Sequence, residues 1–262
     1  MRITYIGHAT LLIEIGDRIF LTDPNFDKTL GGFLPRVSDP GIPVSSLPRL
    51  DAILLTHAHA DHLSFNSLDE IGGEAPLYAP PSVAKWLRRR GYASAHSFEP
   101  GATVQLGNVE IFAAPATHTG SRYAFDRWRS AANMYLLDTK SVSCFFAGDT
   151  GLTPESTKLV EYHLTTSRRR LDMALLPIGH APWWKPGFRK GHLTSRDALT
   201  LFDRLNARYL IPYHWGTFDH VTAKAYDAID RLREHLPDHP RSDDVRILEP
   251  GMSFDLPVSA PA

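Results

Sequence analysis

Sulfur chemistry is nearly absent from this chain: 262 residues hold one cysteine, Cys144, inside the apolar run Val142 to Ala147. A lone thiol closes no internal disulfide, so the fold draws on a core, not on cross-links, and needs no oxidising compartment. A net electrostatic field is missing as well. With 28 basic and 29 acidic side chains the formal charge is −1, which gives no global attraction for nucleic acid or an anionic membrane. No segment approaches the roughly 20 apolar residues of a membrane-spanning helix. The N-terminus enters a strand-like segment, Ile3 to Ile6, without a signal peptide's basic region and apolar stretch. These absences predict a cytoplasmic protein. What is present is an ordinary globular composition, 43% hydrophobic and 22% charged, and 13 histidines. Many of those histidines stand beside Asp, Gly or Thr at the ends of apolar runs.

Short apolar runs at Ile3 to Ile6, Leu11 to Ile15, Ile19 to Leu21 and Ala52 to Leu55 predict an opening β-meander, with Gly16-Asp17 as a hairpin signal. Residues 24–50, rich in Pro, Gly and Ser, read as a long surface loop able to cover a site. Strands and helices then alternate. Helices are expected around Phe65 to Ile71, Ser82 to Arg90, Pro154 to Leu164, Thr194 to Leu205 and Ala223 to His235. Strands are expected at Leu77 to Ala79, Thr103 to Leu106, Val109 to Ala113, Met134 to Leu137, Ser143 to Ala147, Met173 to Leu176 and Tyr209 to Ile211. The basic runs Arg88 to Arg90 and Arg168 to Arg170 fall at ends of expected helices, where solvated cations suit the dipole. Length alone allows one or two domains. No low-complexity linker divides the chain, and runs such as Ile53-Leu54-Leu55 and Ala174-Leu175-Leu176 are apolar on both faces, as in sheets covered on each side. The expectation is one α/β domain over residues 1–262: a four-layer αβ/βα sandwich, two mixed sheets with helices outside.

Thr56-His57-Ala58-His59-Ala60-Asp61-His62 follows an apolar strand directly, where ligand-binding loops of layered α/β folds lie. In an extended segment residues two apart face the same way, so His57, His59 and Asp61 can converge, and a turn can bring His62 round. Burying three imidazoles and a carboxylate together is costly without a cation. His118, Asp149 and His214 stand at further strand ends, which raises the donors to seven, more than one site takes. Seven donors imply two divalent metal ions. Imidazole and carboxylate suit Zn²⁺ first, with Mn²⁺ or Fe as alternatives. Asp149 is the natural bridge, since a carboxylate has two oxygens and ions roughly 3.5–4 Å apart share a hydroxide nucleophile.

Gly7-His8-Ala9-Thr10, Leu21-Thr22-Asp23-Pro24, the His-x-His-x-Asp-His run, Phe146-Ala147-Gly148-Asp149-Thr150-Gly151, Pro177-Ile178-Gly179 and His214-Trp215-Gly216-Thr217-Phe218 resemble the metallo-β-lactamase superfamily. Within it they look like the branch of N-acylphosphatidylethanolamine-hydrolysing phospholipase D, and more distantly like ascorbate 6-phosphate lactonase. The resemblance implies that His57, His59 and His118 bind one metal, that Asp61, His62 and His214 bind the other, and that Asp149 bridges. It also places His192, just before a helix, at the rim of the site. There it could hold a substrate oxygen or protonate the leaving alkoxide; the alternative is a helix-capping surface histidine. Thr119-Gly120 departs from the bulky aromatic those lipid hydrolases tend to carry.

His8 and Asp23 are expected to orient metal-binding imidazoles by hydrogen bonds. His180, Trp183, Trp184 and Phe188 form an aromatic stretch for an apolar substrate group, or else core packing. Arg122 or Arg127, near Asp126, offers a phosphate contact, or else a structural ion pair. The chemistry implied is attack by a metal-bridging hydroxide on phosphorus or a carbonyl carbon, with Asp61, Asp149 and His192 as catalytic groups. A small or lipid-like phosphodiester is the first substrate class, with peripheral membrane contact open and no nucleic acid; a lactonase is second. A purely structural metal protein or a diiron redox protein fits less well, because a structural site is closed by four ligands.

Overall fold

The computed structural model describes residues 1–123, 126, 131–179, 187–219 and 223–257. In chain order the strands are β1 (Arg2–Gly7), β2 (Thr10–Ile15), β3 (Arg18–Thr22), β4 (Thr29–Leu30), β5 (Leu34–Pro35), β6 (Ala52–Leu54), β7 (Leu77–Ala79), β8 (Ala95–Ser97), β9 (Thr103–Leu106), β10 (Val109–Pro115), β11 (Asn133–Asp138), β12 (Ser143–Phe146), β13 (Met173–Pro177), β14 (Tyr209–Tyr213) and β15 (Ser253–Asp255). The α-helices are α1 (Phe65–Ile71), α2 (Pro81–Arg89), α3 (Glu155–Val160), α4 (Ser195–Leu205) and α5 (Asp227–His235). One sheet runs β15-β1-β2-β3-β6-β7-β8 and the other β14-β13-β12-β11-β10-β9. Both are mixed, antiparallel through the meanders and parallel where a helix or the loop of residues 24–50 intervenes.

The strand period of two sorts side chains between layers. Ile3, Tyr5, Leu11, Ile13 and Leu54 enter the core between the sheets. Their neighbours Ile6, Leu12, Ile53 and Leu55 face the other way, onto Leu68 of α1 and Val83, Ala84 and Leu87 of α2. On the second sheet Leu136, Phe145 and Leu175 share a core with Leu159 of α3, Phe202 of α4 and Ile229 of α5. These are the four layers of an αβ/βα sandwich. Pro212 lies within β14, an edge strand, where a missing N–H is tolerated. Among the described residues no helix is long and apolar enough to cross a membrane.

Some boundaries differ from the sequence expectation. The loop over residues 24–50 contains the β4–β5 hairpin and a short 3-10 turn. The expected helix at Pro154 to Leu164 splits into α3 and a single π turn, Glu161–Thr165, and α5 begins only at Asp227. The basic runs are engaged, not merely solvated. Arg169 pairs with both oxygens of Asp138 at 2.7 Å, Arg170 donates to the carbonyls of Asn206 and Ala207, and Arg90 lies 4.3 Å over the Phe65 ring. Cys144 is free and buried.

Candidate metal centre

Parallel strands deliver their C-terminal ends to one edge of a sheet, and the donors follow those ends. β6 leads into His57, β10 into His118, β12 into Asp149 and β14 into His214; β1 and β3 deliver His8 and Asp23 to the same edge. Three of these residues have left-handed backbone: His8 at φ 54°, Asp23 at 34° and His214 at 71°. Such strain persists only where the surroundings enforce it. The extended stretch after β6 ends at His59, whose carbonyl accepts from the amides of His62 and Leu63 in a tight turn. The turn splits the motif, so that His57 and His59 face one point while Asp61 and His62 face another.

In the first group His57, His59, His118 and Asp149 each offer a donor atom, all within 4.8 Å of one another. His59 Nδ1 lies 3.0 Å from His57 Nε2 and 3.1 Å from His118 Nε2. Burial pushes the His57 imidazole well below its ordinary value and the His118 imidazole down to about 3, so both are neutral. Their outer nitrogens carry the protons: His118 Nδ1 donates to the Gly191 carbonyl at 2.8 Å, and His57 Nδ1 to the Thr56 hydroxyl at 2.9 Å. Three nitrogens are therefore packed together with lone pairs inward. This donor set fits a tetrahedral cation, with metal–nitrogen bonds of about 2.0–2.1 Å.

The second group is His8, Asp61, His62 and His214. His214 Nε2 lies 3.2 Å from His62 Nε2 and 3.5 Å from Asp61 Oδ2. Asp149 stands between the groups. Its Oδ2 is 4.0 Å from His118 Nε2 and 3.5 Å from His62 Nε2, and its Oδ1 is 3.4 Å from His214 Nε2. Among the described residues Oδ1 is buried without a hydrogen-bond partner. Burial alone would raise the carboxyls of Asp149 and Asp61, yet the surrounding imidazoles hold both well below the carboxylate range. An orphaned, ionised oxygen standing between three clustered imidazoles on one side and a carboxylate with two imidazoles on the other is what a pair of cations would satisfy.

Asp23 orients an imidazole by a hydrogen bond as the sequence predicts, and beyond that it ties the groups together. It accepts from His62 Nδ1 at 2.7 Å and from the Thr56 hydroxyl at 2.6 Å, and Thr56 in turn receives His57. One carboxylate thus fixes the tautomers of an imidazole in each group. His8 departs from its expected role, because its Nε2 donates to the Asp61 carboxylate at 3.0 Å and not to an imidazole. His192 Nε2 lies 3.5 Å from Asp149 Oδ2, and its ring packs edge-on against His118. Among the described residues Arg122 forms no ion pair. It donates to the Leu63 and Ala58 carbonyls and covers Phe65. Gly120 cannot bear the aromatic of the lipid hydrolases, since a Cβ there would stand 2.4 Å from the Ala131 carbonyl and 2.9 Å from His57 Cβ. His180, Trp183, Trp184 and Arg127 lie outside the described residues, as does the side chain of Phe188.

A cavity of about 450 Å³ opens onto Asp61, Asp149, His192 and His214. Its outer wall includes Leu30, Phe33, Leu34, Phe218 and Arg231. The reading of residues 24–50 as a loop able to cover a site anticipates part of this wall as a segment but singles out none of that part's side chains. Leu30, Phe33 and Leu34 sit in a segment without periodicity, and only the fold brings them to the mouth.

Comparison with known proteins agrees with this geometry. A family model, the β-lactamase superfamily domain, matches residues 18–215. The N-acyl-phosphatidylethanolamine-hydrolyzing phospholipase D 1 of Caenorhabditis elegans is 28% identical over 252 residues, covering 88% of this chain and 68% of that protein. A metal-dependent hydrolase of Methanoregula boonei is 28% identical over 267 residues, covering 99% of this chain and 100% of that protein. Among solved structures, an isothiocyanate hydrolase from Delia radicum gut bacteria superposes with a TM-score of 0.77 at 20% identity, covering 97% of this chain and 99% of that one. The fold, the two groups of ligand-type side chains at one sheet edge and the family match together make this chain a member of the metallo-β-lactamase superfamily of metal-dependent hydrolases.

Proposed function

We propose that the chain is a dinuclear hydrolase acting on phosphodiesters that carry an apolar group. His57, His59 and His118 would hold one divalent cation, Asp61, His62 and His214 would hold the other, and Asp149 would be shared between them, with Zn²⁺ favoured over Mn²⁺ or Fe by the donor set. The observation that carries this reading is the Asp149 carboxylate, buried between both groups with Oδ1 unpartnered. When bound, two such cations lower the pKa of a water to yield a nucleophile at neutral pH and offset charge on the reacting oxygens.

The chain's own groups do the rest. Asp61 and Asp149 remain ionised at neutral pH, so both are available as anionic donors that would offset the charge of the cations. His192, on the cavity side of Asp149, is placed to hold a substrate oxygen or give a proton to the leaving one. Phe33, Leu34 and Phe218 exclude water and seat an apolar substituent. A phosphodiester with a lipid-like group suits this division, and the C. elegans relative, named for hydrolysis of such a lipid, supports the choice.

The test is bound metal per chain by elemental analysis, on protein purified without chelator, with turnover of bis(p-nitrophenyl) phosphate and of a lactone panel. Near two equivalents are expected, with phosphodiester turnover. Asp149→Ala should lose metal and drop kcat about a thousandfold or more, several kcal/mol of transition-state stabilisation. One equivalent or none, with turnover unaffected by Asp149→Ala, would overturn the dinuclear mechanism. Turnover of lactones alone would move the activity to a lactonase.

A further inference from the structure

We propose that His8 is a positioning residue for one of the two cation sites and leaves the other alone; this rests on the dinuclear reading above. The contacts of His8 are one-sided. Its Nε2 donates to Asp61 Oδ2 at 3.0 Å, which fixes the orientation of that carboxylate. Its carbonyl accepts the His214 amide at 2.9 Å, which fixes the backbone from which the His214 ring projects. Its ring lies on the His214 ring with centroids 3.8 Å apart, and meets His62 and Phe218 edge-on at 5.7 and 5.5 Å. The other three members of the second group are thus all touched by His8, and its ring contacts include none of His57, His59 and His118.

The backbone shows that this placement is enforced. His8 sits in the left-handed region at φ 54°, directly after Gly7 at φ 145°, and is 7% exposed. A non-glycine residue pays for such a conformation, so the fold holds it there against its local preference. Asp23 supplies the contrast. Its carboxylate reaches His62 directly and His57 through Thr56, so it supports both sites. Loosening Asp23 should disturb both cations, whereas loosening His8 should disturb one. Hydrogen-bond partners of metal ligands typically govern affinity by 10–100-fold.

The experiment is chelator competition on zinc-loaded protein, read as metal retained per chain, with the d–d absorption of the cobalt(II)-loaded protein as a second readout. His8→Phe keeps an aromatic ring and removes the donor; His8→Gln keeps an N–H at similar reach; Asp23→Asn is the two-site comparator. The wild type should hold two equivalents. His8→Phe should keep one as tightly as wild type and weaken the other about 10–100-fold. His8→Gln should restore the weakened site to within a few-fold, and Asp23→Asn should weaken both. Equal weakening of both sites in His8→Phe, or no weakening, would overturn the inference while two wild-type equivalents left the dinuclear reading standing. A His8→Gln loss as deep as that of His8→Phe would also overturn it, since His8 would then act as a ligand and not as a donor to one. Fewer than two equivalents in the wild type would overturn the dinuclear reading and this inference with it.

Discussion

Gly179 has no side chain, and His214 fills the space one would need: a Cβ there would stand 2.6 Å from His214 Nδ1 and 3.1 Å from its Cε1. An alanine must therefore push the imidazole away from Asp61 and Asp149. Gly179→Ala is expected to weaken metal retention and cut turnover by about tenfold or more, the range for disturbed ligand support, while the melting temperature of the metal-free protein changes little. Unchanged turnover would show that His214 can swing aside at no cost. At this scale the sequence was most legible where chemistry restricts residue type. Histidine and aspartate beside apolar strand ends have few bland uses in such density, and all seven named donors converge. Contacts set by backbone geometry were hidden. That His8 meets Asp61 depends on a left-handed turn after β1 and on the tight turn at His59, neither of which residue identity announces.

Helix α4 stands beside His192, and its start is secured by a capping box: the Thr194 hydroxyl accepts the Asp197 amide, and the Asp197 carboxylate accepts the Thr194 amide. Asp197 also pairs with Arg189 at 2.7 Å, in the short turn that precedes His192. Burial would raise the Asp197 carboxyl, but Arg189 and Thr194 hold it below its ordinary 3.8. A carboxyl depressed in the fold adds stability above 3.8 that is lost as pH falls through the depressed value. Asp197→Asn should therefore cost about 1 kcal/mol in urea unfolding at pH 7, and the deficit should shrink at pH 3, below 3.8, where the unfolded chain's carboxyl takes up its proton. An equal deficit at both pH values would refute a role for the charge. The start of this helix near Thr194 was readable because capping is local chemistry within four residues. By contrast β8, β15 and the β4–β5 hairpin have two or three residues each, too few to show a period, and they exist because a neighbouring strand offers an edge.

Taken as a whole, the molecule is two sheets whose donors are divided between them. His57, His59, Asp61 and His62 follow β6 of the first sheet, and His118, Asp149 and His214 follow β10, β12 and β14 of the second. Each group draws on both, His57 and His59 with His118 and Asp149, Asp61 and His62 with His214. Cations held there would cross-link the sandwich at one edge, while the apolar core closes the rest. Binding to the folded state alone stabilises by about 2.7 kcal/mol at a hundredfold excess over Kd, so two sites give about 5 kcal/mol. At roughly 2–4 °C per kcal/mol for a chain of this size, chelation should lower the melting temperature by about 10–20 °C. Re-addition of Zn²⁺ should restore it. Asp149→Ala, which removes the shared carboxylate, should start low and respond little to chelator. A melting temperature that ignores chelation in the wild type would mean that the sheets are held by their core alone and that the donors converge without carrying load between them.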